Sequence, residues 1–377
     1  MEAVGIICEY NPFHNGHVDH INKIKEMFPD DIIVLVLSGN FTQRGDVSVI
    51  DKWDKTDIAL DYVDLVVELP FVFSVQSADN FARGSISILK SIGVSKIVFG
   101  TETLDAENLE KIASIQKSPD FNSLVKEYLN SGVNYPTALS KSVYDLCKIK
   151  ISNPNDLLGL SYVKELENSS IKIFTIKRTN NYHDKDLSDS ISSATSIREA
   201  ILNKKSIKKY VPLKTYNYIS KKVHFNNDYF DYLKYKIISE LDCLDKYLNV
   251  DEGIENRIKK YIYDCSNLDE LIDKIKTKRY TYNKINRMFT YILCGFTKEM
   301  ANEFKYPEYI RILGFNENGQ KYLRLYKKKI DLPIITKYTN KYKMLNMEMR
   351  VSYIYYMNEK NRTHLTLMEY KRKPIIK

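Results

Sequence analysis

The sequence predicts a doubly wound, parallel-sheet α/β domain followed by a basic, mainly helical domain. Short β-branched runs alternate with amphipathic stretches through the first 200 residues, and longer stretches bearing Lys and Tyr follow. The charge also changes sign along the chain. Residues 1–200 carry 20 Lys and Arg against 28 Asp and Glu, net −8, and residues 201–377 carry the other 37 against 20, net +17. A length of 377 residues suits two domains at ~100–200 residues each. The charge shift and the pairs Lys204-Lys205 and Lys208-Lys209 place the boundary between residues 204 and 205. An acidic front and a basic back fit a division in which residues 1–204 handle a small molecule and residues 205–377 grip a polyanion.

Taken in order, Ala3–Cys8, Asp31–Leu37, Leu65–Leu69, Lys96–Gly100 and Ile171–Lys177 are predicted strands. Their continuous apolar character suits strands covered on both faces. Helices are predicted over Gly16–Met27, Asp51–Tyr62, Ala78–Ser91 and Asp156–Glu167. Strand–helix alternation at this spacing gives right-handed crossovers and places ligands at the carboxyl ends of the strands. Beyond residue 204, Tyr229–Leu248, Gly253–Tyr263, Leu268–Lys276 and Tyr282–Leu293 read as helices, and Pro307–Asn316 opens a mixed tail.

Composition excludes several classes. The chain is 44% apolar and 28% charged, ordinary globular values. No run approaches the ~18 apolar residues of a membrane span, and the apolar start lacks the basic leader and cleavage site of a signal peptide. Cys8, Cys147, Cys243, Cys265 and Cys294 are scattered, with no CxxC pair, which argues against zinc ribbons and disulfide frameworks. A reducing cytoplasm is the expected compartment.

The segment Glu9-Tyr10-Asn11-Pro12-Phe13-His14-Asn15-Gly16-His17 follows the first strand directly. Pro12 turns the chain. Asn15 and Gly16 open a helix whose free N–H groups and positive end meet the strand termini. Gly16 lets a ligand approach the backbone. His14 and His17 reach the same space, where imidazole donors would hold phosphate oxygens as charge builds on departing pyrophosphate. His20 extends the spacing, so zinc is geometrically possible, but no Cys or carboxylate pattern completes a zinc signature; the reading is no metal. A single histidine would more often be structural, whereas two flanking Asn-Gly after a leading strand are more specific.

A second helix start, Ile191–Glu199, carries Thr195, Ser196 and Arg198 and suggests the other side of a triphosphate clamp, although plain capping by Ser193 or Thr195 explains it alone. Gly100 ends a strand where a purine could lie on bare backbone. Asn155 precedes a helix, as a ligand contact or a cap. Arg178 follows the last predicted strand, as a phosphate partner or a surface ion pair. The polar loop Ser38–Asp46 borders the same crevice.

At these residues the sequence resembles the bacterial tRNA(Met) cytidine acetate ligase family, a branch of the HxGH nucleotidyltransferases. The matching stretches include Glu9–His17, Ser38–Gly45, Asp51-Lys52-Trp53, Val67–Pro70, Phe99–Glu102, Pro154–Gly159, Lys177-Arg178 with Tyr182-His183-Asp184, Ser193–Arg198 and Ile310–Asn316, in order across the chain. Asp156 departs from the pattern, which has a second Asn there. The resemblance implies that acetate attacks ATP to give acetyl-adenylate and pyrophosphate. The N4 of cytidine 34 of elongator tRNA(Met) then takes the acetyl group and AMP leaves. Carried over by position, the ATP contacts are Ile7, Cys8, Glu9, Tyr10, Asn11, Pro12, Phe13, His14, Asn15, Gly16, His17, Val18, Asp19, His20, Gly100, Asn155 and Arg178, with Thr195 and Ser196. His14, His17 and Arg178 are the catalytic candidates and Mg2+ is expected with ATP. The back domain would hold the tRNA, with the Lys- and Tyr-rich run Lys321–Lys329 as a stacking candidate or a solvated face. A small-molecule nucleotidyltransferase and an ATP-sensing tRNA-binding protein are the alternatives.

Overall fold

The structure is a computed structural model that describes residues 1–178, 192–277 and 279–377. In chain order the elements are β1 (Ala3–Cys8), α1 (Asn15–Met27), β2 (Ile32–Ser38), α2 (Lys52–Ala59), β3 (Leu65–Leu69), α3 (Phe71–Ser74), α4 (Ala78–Ile92), β4 (Lys96–Thr101), α5 (Ala106–Ile115), α6 (Pro119–Asn130), α7 (Tyr135–Cys147), α8 (Pro154–Glu165), β5 (Lys172–Lys177) and α9 (Ala194–Leu202). The second half continues with α10 (Leu213–Ile219), α11 (Phe230–Ser239), α12 (Ile254–Tyr261), α13 (Leu268–Ile275), α14 (Tyr282–Cys294), α15 (Lys298–Glu303), β6 (Ile310–Phe315), α16 (Glu317–Tyr326), β7 (Ile334–Ile335), α17 (Lys343–Tyr355), α18 (Arg362–Lys371) and β8 (Ile375–Ile376).

The strands form one sheet in the order β5-β4-β1-β2-β3-β6-β7, with β8 beside β6. The five front-half strands run parallel, and the order reverses at β1, because β2 and β3 lie to one side and β4 and β5 to the other. Such a reversal opens a crevice at the carboxyl ends of β1 and β4. The alternation of β2 shows why the sheet is covered twice. Ile32, Val34 and Val36 enter one apolar cluster with α4 and α8, and Ile33, Leu35 and Leu37 enter another with α1, α2 and α9.

All five front-half strands lie within a residue of their predicted bounds. Helices α5 to α7, between β4 and α8, add to the expected elements; Asp105, Ser118 and Asn134 cap them, with Pro in the first turn of the last two. In the second half, α11 to α14 pack around a separate core that includes Leu233, Ile258, Leu271 and Phe289. The chain then returns to the sheet. β6 pairs antiparallel with β3, Leu65 opposite Phe315 and Val67 opposite Ile312. Residues on the far side of the 204/205 division therefore supply strands to the first sheet.

A buried ion network fastens this return. Lys52 Nζ lies 2.6 Å from Glu68 and 2.8 Å from Glu369, and Arg311 reaches the same two carboxylates at 3.0 and 2.9 Å. Trp53 Nε1 donates to Glu369 at 2.6 Å. Burial alone would raise the Glu369 pKa, but Lys52 and Arg311 outweigh it and hold it at about 2.

Candidate active site

The crevice at the sheet's switch point is a cavity of about 260 Å3 whose walls come from β1, α1, the 42–46 loop, β4, α8, β5 and α9. Its floor is made where β1 stops. Tyr10 takes a left-handed conformation (φ 49°) and the Asn11–Pro12 peptide is cis. Lys55, wholly buried on α2, donates to the carbonyls of Glu9, Ser38 and Gly39 at 2.9, 2.7 and 2.7 Å and so ties the exits of β1 and β2 together. Burial brings its pKa down to about 7.

The head of α1 is capped by two histidines. His14 is the N-cap, and its Nδ1 accepts the Gly16 N–H at 3.1 Å. His17 Nδ1 accepts the His14 N–H at 3.2 Å in return. This is a capping box built from imidazoles instead of a hydroxyl and a carboxylate. The rings lie 3.8 Å apart, and Phe13 stacks under His17 at 5.6 Å. Burial holds both rings neutral. Arg178 and Arg198 add to that effect on His14, which falls to about 3, and His17 is also pushed well below its usual value. A neutral imidazole that accepts at Nδ1 carries its proton on Nε2. Each ring therefore has one N–H donor left for a ligand, placed at a positive helix end whose own first N–H groups are taken by the Tyr210 carbonyl, His14 Nδ1 and the His14 carbonyl.

The opposing wall repeats the device. Ser193 caps α9 by accepting the Ser196 N–H at 3.1 Å, and Thr195 lines the cavity. Arg198 donates to the Asn11 carbonyl at 2.8 Å and to Thr195 Oγ1 at 3.3 Å, joining the two helix heads. Arg178 is exposed at the end of β5. A side chain on Gly100 would come within 3.2 Å of Arg178 Cγ, so the glycine serves to let this arginine lie across the strand.

At the third wall, Glu102 accepts from Asn155 Nδ2 and from the Asp156 N–H, while Asp156 accepts from the N–H groups of Glu102 and Thr103 and from Thr103 Oγ1 at 2.6 Å. These reciprocal caps fix Asn155 at the cavity and give Asp156, buried, a structural role. Phe81, Phe99, Leu158 and Tyr162 supply an apolar face, with Phe99 edge-on to Tyr162 at 5.3 Å.

The cavity thus gathers Ile7, Cys8, Glu9, Tyr10, Asn11, His14, Gly16, His17, Asp19, His20, Gly100, Asn155, Arg178 and Thr195. It does not include five expected residues. Pro12 and Phe13 support the turn from behind. Asn15 points to the chain after α9, its Nδ2 donating to the Lys209 carbonyl at 2.9 Å. Val18 packs into the core, and Ser196 is buried with its hydroxyl on the Ser193 carbonyl at 3.1 Å. The apolar face and Lys55 were missed by the sequence reading, because an apolar residue on a strand or helix carries no mark that separates ligand from core. Tyr182, His183, Asp184 and Ile191 lie outside the described residues. Among the described residues no group of three His, Cys, Asp or Glu side chains could hold a metal ion.

Two neutral N–H donors, two helix heads and an exposed cation around an apolar slot suit a nucleoside triphosphate: base against the rings, phosphates across the helix heads. Comparison with known proteins agrees. Residues 1–369 match the family described as HIGH Nucleotidyl Transferase. The tRNA(Met) cytidine acetate ligase of Clostridium acetobutylicum is 40% identical over 100% of both chains, and that of Caldicellulosiruptor saccharolyticus is 38% identical over 100% of this chain and 98% of its own. Crystal structures of Thermotoga maritima TmcAL, one apo and one bound with alpha-thio ATP, superpose with TM-scores of 0.92 and 0.90 at 28% identity, covering 100% of this chain and 99% of theirs. The chain belongs to the tRNA(Met) cytidine acetate ligase family of HIGH nucleotidyl transferases.

Proposed function

We propose that this chain is an ATP-dependent ligase that acetylates N4 of cytidine 34 in elongator tRNA(Met). The observation that carries the nucleotide half is the imidazole capping box, which commits both Nδ1 atoms to the backbone and leaves two Nε2–H donors at the cavity. The family membership carries the choice of acetate and tRNA.

An acetate oxygen attacks the α-phosphorus of ATP and the bond to the β-phosphate oxygen breaks, giving acetyl-adenylate and pyrophosphate. His14, His17 and Arg178 meet the growing charge on the phosphate oxygens, and the heads of α1 and α9 hold the chain of phosphates. The cytidine amine then attacks the acetyl carbonyl, AMP leaves with the electron pair, and the nitrogen gives up one proton. Neutral donors suit the first step, because they stabilise charge without a proton transfer to complete. A magnesium ion arriving with ATP would take its ligands from phosphate and water, and the protein groups named here act without it. The basic second half, with exposed Lys327, Lys328 and Lys329, supports contact with the tRNA backbone. Five unpaired thiols fit work in the cytoplasm.

Incubation with ATP, labelled acetate and total tRNA, followed by digestion to nucleosides, should yield labelled N4-acetylcytidine with one AMP and one pyrophosphate per acetyl group. Nucleotide transfer to a metabolite without acetate would establish the small-molecule alternative instead.

A further inference from the structure

A second cavity, of about 310 Å3, lies beside the first. Four cations line it, Arg83 of α4, Lys284 and Arg287 of α14, and Lys305 after α15, and no carboxylate does. Among the described residues none of the four is within 4 Å of an acidic oxygen, whereas Lys236, Lys274 and Lys298 of the same half each form an ion pair. Glu165, which interacts electrostatically with Arg83, stands outside the lining. Arg83 and Arg287 also each hold a buried Nε–H with no acceptor. Burial lowers the Arg287 pKa; Tyr291 opposes that and Arg44 adds to it. Arg83 donates to Asn80, Lys305 to Asn302 at 3.3 Å and Arg287 partners Tyr291, all neutral groups, so the gathered charge is left uncompensated by the chain and suits a polyanion's oxygens.

The position of this cavity identifies the anion. One loop separates it from the nucleotide crevice: Arg44 and Asp46 line the crevice, while Gly45 (φ 83°) lies so close to α14 that a side chain there would meet the Arg287 N at 2.6 Å. Asn286 Nδ2 donates to the Arg44 carbonyl at 3.0 Å and Thr290 Oγ1 to the Gly45 carbonyl at 2.6 Å, fixing the loop to the helix. On α4, Phe81 faces the crevice and Asn80 and Arg83 face the second cavity.

We propose that this second cavity binds a backbone phosphate of the RNA substrate next to the reacting cytidine, with Arg83 and Arg287 as the forked donors and Lys284 and Lys305 at the rim. The proposal rests on RNA being the acceptor. Anchoring a phosphate one loop away from the crevice would hold a splayed-out base at the adenylate without reading its sequence.

The test uses the full chain with Arg83→Gln, Arg287→Gln and the charge-retaining Arg83→Lys. Affinity for a tRNA(Met) anticodon stem–loop is measured across salt concentrations, alongside acetate-dependent ATP–pyrophosphate exchange. Each Gln variant should bind the RNA about tenfold or more weakly, with the slope of log affinity against log salt shallower by about one, while exchange stays within twofold of the parent and so reports an intact fold. Arg83→Lys should recover most of the affinity. Unchanged RNA affinity in both Gln variants overturns the proposal, as does a loss of exchange with RNA binding intact, which would mark a site for free pyrophosphate or phosphate. A parent chain that binds no RNA would instead sink the reading of the acceptor, and this proposal with it.

Discussion

The imidazole capping box gives His14 two separable tasks, and two substitutions divide them. His14→Ala removes the acceptor for the Gly16 N–H and the Nε2–H donor together. His14→Asn keeps the cap, since Asn is among the best N-cap residues and reaches the same backbone N–H, but it replaces the Nε2–H with an amide N–H on a shorter side chain that does not reach the same point. Loss of the cap costs about 1 kcal/mol of stability, whereas loss of one donor to a developing oxyanion costs about 3–4 kcal/mol of barrier, roughly 100- to 1000-fold in rate. The ring contact with His17 at 3.8 Å disappears in both variants, so it does not separate them. The first step is read as acetate-dependent exchange of labelled pyrophosphate into ATP, and stability as urea unfolding at pH 7.5. His14→Asn should be about 1 kcal/mol more stable than His14→Ala and equally impaired in exchange. If His14→Asn kept exchange within tenfold of the parent, the Nε2–H would not be a transition-state donor, and the site would work through the helix head alone.

The same histidine sets an acid limit. Its folded-state pKa of about 3 lies below the ordinary 6.5, so the unfolded chain binds a proton that the folded chain refuses as pH falls below 6.5. Its contribution lost between pH 7.5 and 5 is about 2 kcal/mol, and His14→Asn should show that much less acid sensitivity than the parent in paired urea titrations. Glu348, held protonated up to about 8 by burial and by Glu68, works in the opposite direction, which is why variant and parent are compared at each pH. Lys52→Met strips one cation from two buried carboxylates and should cost about 3–5 kcal/mol, read as the shift in urea midpoint; a loss below 1 kcal/mol would mean that Arg311 alone suffices. Reversing Lys327, Lys328 and Lys329 to Glu should weaken tRNA affinity and flatten its salt dependence with pyrophosphate exchange unchanged; equal damage to both would refute the division of labour between the halves.

The parts of this fold that the sequence made legible are those where local and global demands agree. The five parallel strands are apolar on both faces and bounded by turns, and the histidine motif stands where the first strand must turn, so both could be read without knowing a contact. Asp156 shows where that stops. As a departure from the family pattern it could be noticed, but its acceptance of three donors from Glu102 and Thr103 depends on a loop 53 residues away. β6 is hidden for the same reason. Ile310–Phe315 has the composition of a strand, but nothing nearby in sequence says that its partner is Leu65–Leu69, more than 240 positions earlier. Gly100 was legible as a close-approach position, while the approaching group, Arg178, was not.

The late return of the chain to its first sheet bears on how the protein is made. Until residue 310 has been made β3 stands at an open margin, its peptide groups offered to any strand that passes, and Lys52 and Glu68 wait without Arg311 and Glu369. The emerging front half is therefore unfinished while it leaves the ribosome, and only when residues 310–376 are released can the sheet gain β6 and β8 and the buried charges be neutralised. An enzyme that modifies tRNA thus cannot complete its own nucleotide-handling frame until residues 310–376 have been made.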